Sequence, residues 1–126
     1  MDIKRVHHVG LYVKDAEKSL EFYRDKLGGT VIHSFSIGED RSNWLVDIGG
    51  GAVIELIPVG NGDANPAVGW AHLAVEVADT RAAYETAVAA GAATWMPPTE
   101  MDIGRQVLLA YVHGPDNEII EFYQEL

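Results

Sequence analysis

Two histidines and two glutamates in this 126-residue chain occupy matching places in two half-length segments: His8 with His72, and Glu55 with Glu121. Two imidazoles and two carboxylates form a mixed nitrogen and oxygen donor set suited to nickel, cobalt, zinc, iron or manganese. A single histidine in a strand is more often a hydrogen-bonded core residue, and a glutamate inside an apolar strand is costly without a partner. Four such groups in register point instead to one divalent metal held by His8, Glu55, His72 and Glu121. His7 serves as the control. It alternates onto the other strand face, its counterpart in the repeat is Ala71, and it is expected to be structural. His33, in a polar strand, and His113, before the turn "GPDN", are expected to be solvated.

The match rests on an internal repeat. At an offset of 64 residues, "HVGLYVKDAEKSLEFYRDKLGG" lies over "HLAVEVADTRAAYETAVAAGA", pairing His8 with His72, Val13 with Val77, Asp15 with Asp79 and Glu21 with Glu85. At an offset of 66, "AVIELIP" lies over "EIIEFYQ" and pairs Glu55 with Glu121. One short loop insertion accounts for the slip. Each copy opens with a strand ending at an aspartate, Asp15 or Asp79, suited to cap a helix. Ala16, Leu20, Tyr23 and Leu27 make a helical stripe, and Gly28 and Gly91 stand where helices end. Three strands follow in each copy: "TVIHSFSI", "NWLVDI" and "AVIELI", then "ATWM", "QVLLAYV" and "EIIEFYQ". The expected architecture is α+β, a βαβββ module repeated, with module 1–58 and module 70–126 joined by a glycine- and proline-bearing linker 59–69 into one domain. Period-2 alternation places His8, Gly10 and Tyr12 on one strand face and Val9, Leu11 and Val13 on the other, toward the helix.

Composition narrows the function classes. Apolar residues make up 48%, enough for a real core. Nine Lys plus Arg against 19 Asp plus Glu give a formal net charge of −10, which repels phosphate backbones and argues against nucleic-acid partners. No apolar run approaches the roughly 20 residues that span a bilayer. Cysteine is absent, so no disulfide framework exists. No secretory pattern opens the chain, so a cytoplasmic location is expected.

The segments "HHVGLYVKDAEKSLEFYRDKLG", "VIELIP", "WAHLAVEVAD" and "GPDNEIIEFYQ" resemble those of the vicinal-oxygen-chelate superfamily, which includes glyoxalases, bleomycin-resistance proteins and dioxygenases. The resemblance covers essentially the whole chain. It implies paired βαβββ modules forming half-barrel sheets around a metal. The order His8, Glu55, His72, Glu121 is similar to the glyoxalase I pattern. Extradiol dioxygenases and fosfomycin-modifying enzymes resemble it less at position 55, and methylmalonyl-CoA epimerases commonly carry Gln there. The implied activity is a lyase or isomerase step on a 2-oxoaldehyde–thiol adduct such as the methylglyoxal hemithioacetal, through a metal-held enediolate. Glu121 is implied as the base, with Glu55 on the opposite side of the metal. The alternatives are an epimerase-like or other superfamily enzyme, or a non-catalytic protein that binds a small molecule such as an antibiotic. Tyr12 and Val59 stand where small bacterial glyoxalase I enzymes typically carry the Arg and Asn associated with glutathione, which leaves the thiol open.

Further expectations concern the surroundings of the metal. Tyr12, Trp70 and Met96 are candidates to shape a pocket. "PPTEMDIGRQ", residues 97–106, reads either as a solvated loop or as a lid whose Arg105 meets a substrate carboxylate. An open half-barrel leaves strand edges and an apolar face uncovered, so a homodimer is expected. If the linker lets modules pair between chains, His8 and Glu55 would come from one subunit and His72 and Glu121 from its mate.

Overall fold

The structure, a computed structural model, describes residues 1–38, 40–59, 69–115 and 117–126. The linker 59–69 falls outside the described residues except at its two ends. The chain is α+β and follows a βαβββ order twice. The first pass comprises β1 (Ile3–Val13), α1 (Ala16–Leu20), β2 (Thr30–Ser36), β3 (Ser42–Asp47) and β4 (Val53–Pro58). The second comprises β5 (Gly69–Val77), α2 (Thr80–Ala89), β6 (Ala93–Asp102), β7 (Gln106–His113) and β8 (Ile119–Glu125). Two compact units result: one spans residues 8–71, the other residues 1–7 with 72–126. Residues 1–7 are tied to the latter by an Arg5–Glu76 ion pair at 2.6 Å and by the His7 ring stacked on Tyr123. Among the described residues, no helix is long and apolar enough to cross a membrane.

Within unit 8–71 the strand order is β2-β3-β4-β1, with β1 parallel to β4 and the other neighbours antiparallel. In the other unit the order is β5-β8-β7-β6, with β5 parallel to β8 and the rest antiparallel. Each helix starts as its sequence dictates. The Asp15 carboxylate accepts from the Lys18 N–H and the Asp79 carboxylate from the Ala82 N–H, both at 3.1 Å, satisfying donors that a helix start leaves unpaired. Each helix packs on one face of its own strands. Leu20 meets Val13, Val46, Ile54 and Leu56, with Leu11, Ala16 and Tyr23 around them. Ala83 meets Val75, Val77, Ala110, Val112 and Phe122. Leu73, placed by alternation on that same face, is 39% exposed beside a cavity of about 820 Å³ under the end of α2.

Two elements differ from the sequence-based expectation. The first helix does not run on as an α-helix to Leu27. It changes after Leu20 into a π-helical turn, Glu21–Lys26, and the Leu27 N–H donates to the Phe22 carbonyl five residues back. The wider winding rotates the stripe, leaving Leu27 55% exposed while Leu20 is buried. Gly28 then reverses the chain with φ of 78°, as Gly91 does after α2 with φ of 103°. Second, β6 extends from Ala93 to Asp102, so "PPTEMD" is strand and not loop. The pairing of β6 with β7 slips between Met96 and Thr99, across Pro97 and Pro98. A bulge at the margin of a strand order tolerates residues without an N–H.

Candidate functional site

In unit 8–71, the parallel register sets Gly10 against Glu55, and β3 sets Leu45 against Glu55 from the other side. His8 lies two residues before Gly10 and therefore on the same face, opposite the face that packs on α1. The His8 Nε2 lies 3.7 Å from the Glu55 Oε1, with side chains 4% and 10% exposed. The other unit repeats the arrangement. Ala74 stands against Glu121 from β5 and Tyr111 from β7, and the His72 Nε2 lies 2.9 Å from the Glu121 Oε2. Those side chains are 8% and 3% exposed. The cross-strand partners of the two carboxylates on β1 and β5 are thus small residues, Gly10 and Ala74.

Each unit thus carries one buried imidazole–carboxylate pair at an equivalent place. A carboxylate taken out of water must be paired, hydrogen-bonded or bound to a cation. One nitrogen and one oxygen per pair make a donor set that fits a divalent transition metal or zinc.

Around the pairs, the sequence-derived candidates fall into different settings. Tyr12 is half-buried on the His8 face, opposite Ile57. Met96 is half-buried and packs against Val107, Leu109 and Tyr123, with Tyr111 and Ile103 beside it. Trp70 is 70% exposed. Arg105 lies in the turn between β6 and β7 and donates to the Glu125 carboxylate at 2.7 Å. That hydrogen bond holds the Glu125 carboxyl below the usual carboxylate range, and it raises Arg105 in return. The Tyr123 hydroxyl also reaches Glu125, at 3.3 Å, and burial first, then the Glu125 charge, pushes the phenol above its ordinary range.

The other histidines occupy structural settings. His7 stacks on Tyr123 with ring centroids 4.0 Å apart and planes at 27°. His33 stacks on Phe35 at 5.9 Å and is half-buried. His113 closes β7, half-buried, with its Nδ1 3.3 Å from the Asn117 carbonyl. Both are less solvated than their sequence context suggested.

Two residues escaped the sequence. Tyr111 meets the His72 ring edge-to-face at 5.8 Å and Trp95 at 4.7 Å, forming an aromatic wall beside the His72–Glu121 pair. Its place opposite Glu121 depends on strand register, which the sequence does not display. Asn43 is 6% exposed in β3, and its Oδ1 has no hydrogen-bond partner among the described residues. An amide inside "SNWLVD" carried the same signal as a glutamate in an apolar strand.

The profile of the Glyoxalase/Bleomycin resistance protein/Dioxygenase superfamily matches residues 5–122. A protein of Vibrio cholerae named "Probable lactoylglutathione lyase" is 31% identical, over 98% of this chain and 93% of its own length. The crystal structure of methylmalonyl-CoA epimerase from Mycobacterium tuberculosis superposes with a TM-score of 0.79 at 22% identity, over 98% of this chain and 89% of that one. A mutant of 4-hydroxymandelate synthase from Streptomyces coelicolor gives 0.82 at 22% identity, over all of this chain and 40% of that one. At such identities the two structures speak for the fold alone.

Proposed function

Since the chain belongs to the Glyoxalase/Bleomycin resistance protein/Dioxygenase superfamily, we propose that it is a metal-dependent lyase or isomerase of glyoxalase I type. Its substrate would be the adduct of a 2-oxoaldehyde and a thiol, presenting two adjacent oxygens. The observation that carries this reading is the pair of buried His–Glu couples at repeat-equivalent positions. His8, Glu55, His72 and Glu121 would together hold one divalent ion, nickel, cobalt or zinc foremost. The likeness to a protein named as a lactoylglutathione lyase supports the same choice. A protein that only sequestered a small molecule would have no use for two buried carboxylates.

When bound, the metal would polarise the substrate carbonyl and stabilise the negative charge that develops on the oxygens. The chain's own task is to move one proton between neighbouring carbons. Glu121, 2% exposed and oriented by the His72 Nε2 at 2.9 Å, is the proposed base. Glu55 would be the second carboxylate among the metal's ligands. Tyr12 and Val59 offer no cation or amide for glutathione, and the Val59 N–H is committed to the Val13 carbonyl at 2.9 Å. These two positions give no support to glutathione as the thiol, and the choice of thiol is left to the assay.

The test combines metal analysis with turnover. Purified protein should contain one nickel, cobalt or zinc ion per His–Glu quartet and convert methylglyoxal in the presence of a suitable thiol from a panel that includes glutathione. Glu121→Gln should keep most of the metal yet lose nearly all turnover. Full activity in that variant would remove Glu121 as the base. Wild-type protein that bound no metal would sink the whole reading.

A further inference from the structure

We propose that Asn43 positions the substrate by accepting a hydrogen bond from a hydroxyl or amide N–H that the substrate carries in addition to its two chelating oxygens. The inference rests on the reading of His8 and Glu55 as metal ligands and narrows the substrate class within it. Strand β3 alternates. Trp44 and Val46 face α1 with Leu20 and Leu56, while Asn43 and Leu45 take the opposite face. Leu45 stands directly against Glu55, which makes Asn43 the diagonal neighbour of Glu55 on that face. Diagonal neighbours have Cα atoms about 7–8 Å apart, a span that a substrate of a few heavy atoms bridges.

Asn43 is out of place unless something meets it. Its nearest companion across β2 is Phe35, and the residue is 6% exposed. Its Oδ1 is buried without a partner among the described residues, although buried polar atoms are nearly always paired. Leucine has almost the same shape and would fill the place with no polar atom to satisfy. An amide is neutral, so it neither competes with Glu55 for a cation nor titrates. What it does supply is one acceptor and one donor group on the same strand face as Glu55. A ligand with a donor two or three bonds from its chelating oxygens would satisfy the acceptor. A ligand without that donor would leave it unmet and bind more weakly.

Three hydroxamates separate these contributions, because each chelates a metal through the same two oxygens. Acetohydroxamate carries no donor beyond the hydroxamate N–H that all three share. Glycolohydroxamate adds one hydroxyl, and methoxyacetohydroxamate caps that hydroxyl with a methyl group. Binding to the zinc-loaded protein is measured by calorimetry. Wild type should bind glycolohydroxamate about tenfold more tightly than the other two. Asn43→Leu should abolish that preference while keeping metal content and acetohydroxamate affinity, and without metal it should melt no lower than wild type. Asn43→Ala, which adds no branch and removes the acceptor, should abolish the preference too, and it decides the matter if the leucine variant misfolds. A wild type indifferent to the hydroxyl, a preference that survives both substitutions, or a loss of acetohydroxamate affinity in the variants would each overturn the assignment. Wild-type protein that took up no zinc, or bound no hydroxamate, would overturn the metal-site reading, and the role of Asn43 would fall with it.

Discussion

His7 and His8 are chain neighbours with opposite duties, and the pleat of β1 separates them. The His8 imidazole is buried against Glu55, whereas His7 lies flat on Tyr123 with ring centroids 4.0 Å apart. Removing each side chain should therefore have different consequences. His7→Ala forfeits a stacked ring pair, a loss of about 1 kcal/mol in stability, and should leave metal uptake intact. His8→Ala removes a proposed ligand and leaves the Glu55 carboxylate buried without its imidazole, so metal content should fall sharply. Metal analysis beside thermal melts of both variants decides the point. A His7→Ala protein that shed its metal while His8→Ala retained it would invert the assignment of faces. The faces themselves could be read from sequence, because period-2 alternation needs only the strand. The exact neighbours could not: Tyr111 opposite Glu121 and Leu45 opposite Glu55 follow from register, which depends on turns and bulges elsewhere.

At the scale of elements, local chemistry was the most legible. Asp15 and Asp79 cap their helices as their side chains predict, and the two βαβββ passes appear in order. Two signals misled. Pro97 and Pro98 read as a loop, yet a bulge lets β6 carry them through to Asp102. A stripe spaced for an α-helix gave no warning of the π-helical turn at Glu21–Lys26, since one extra residue per turn is a matter of winding and not of composition. The extended β6 brings Arg105 to the turn that pairs it with Glu125, and that pair yields a pH prediction. The Arg105 hydrogen bond depresses the Glu125 carboxyl in the folded chain. The pair therefore adds stability above the unfolded carboxylate value, near 4.3 or so, and loses it as pH falls through the lower folded value. Both side chains are nearly half exposed, at 44% and 46%, so the contribution is a screened one of roughly 0.5 kcal/mol. Glu125→Gln should lower the melting temperature by about 1–2 °C at neutral pH and by nothing measurable at pH 3 or in high salt. A deficit that persisted unchanged at pH 3 would assign the effect to packing around Tyr123.

The whole molecule poses one question that the two His–Glu pairs make testable. Each pair lies inside one compact unit, His8 with Glu55 and His72 with Glu121, so each half-set of donors travels with its own unit. A proposed quartet can then be completed within one chain or between two chains of a homodimer. Light scattering gives the oligomeric state, but mixing two crippled variants identifies the donors' origin. His8→Ala spoils the first half-set and His72→Ala the second, and neither homodimer should hold metal well in either arrangement. Suppose the half-sets are exchanged between subunits. A heterodimer of the two variants then owns one site with His8 and Glu55 from the His72→Ala chain and His72 and Glu121 from the His8→Ala chain, all intact. Its second site combines both losses. Random reassortment after unfolding and refolding an equal mixture should restore about a quarter of the wild-type metal content, since half the dimers are mixed and each carries one good site of two. Sites completed within one chain can never be repaired this way, because every chain carries its own defect. Recovery of metal in the mixture supports the exchanged dimer. A mixture no better than its parts, from a protein that is a clean monomer yet binds metal when wild type, rules it out.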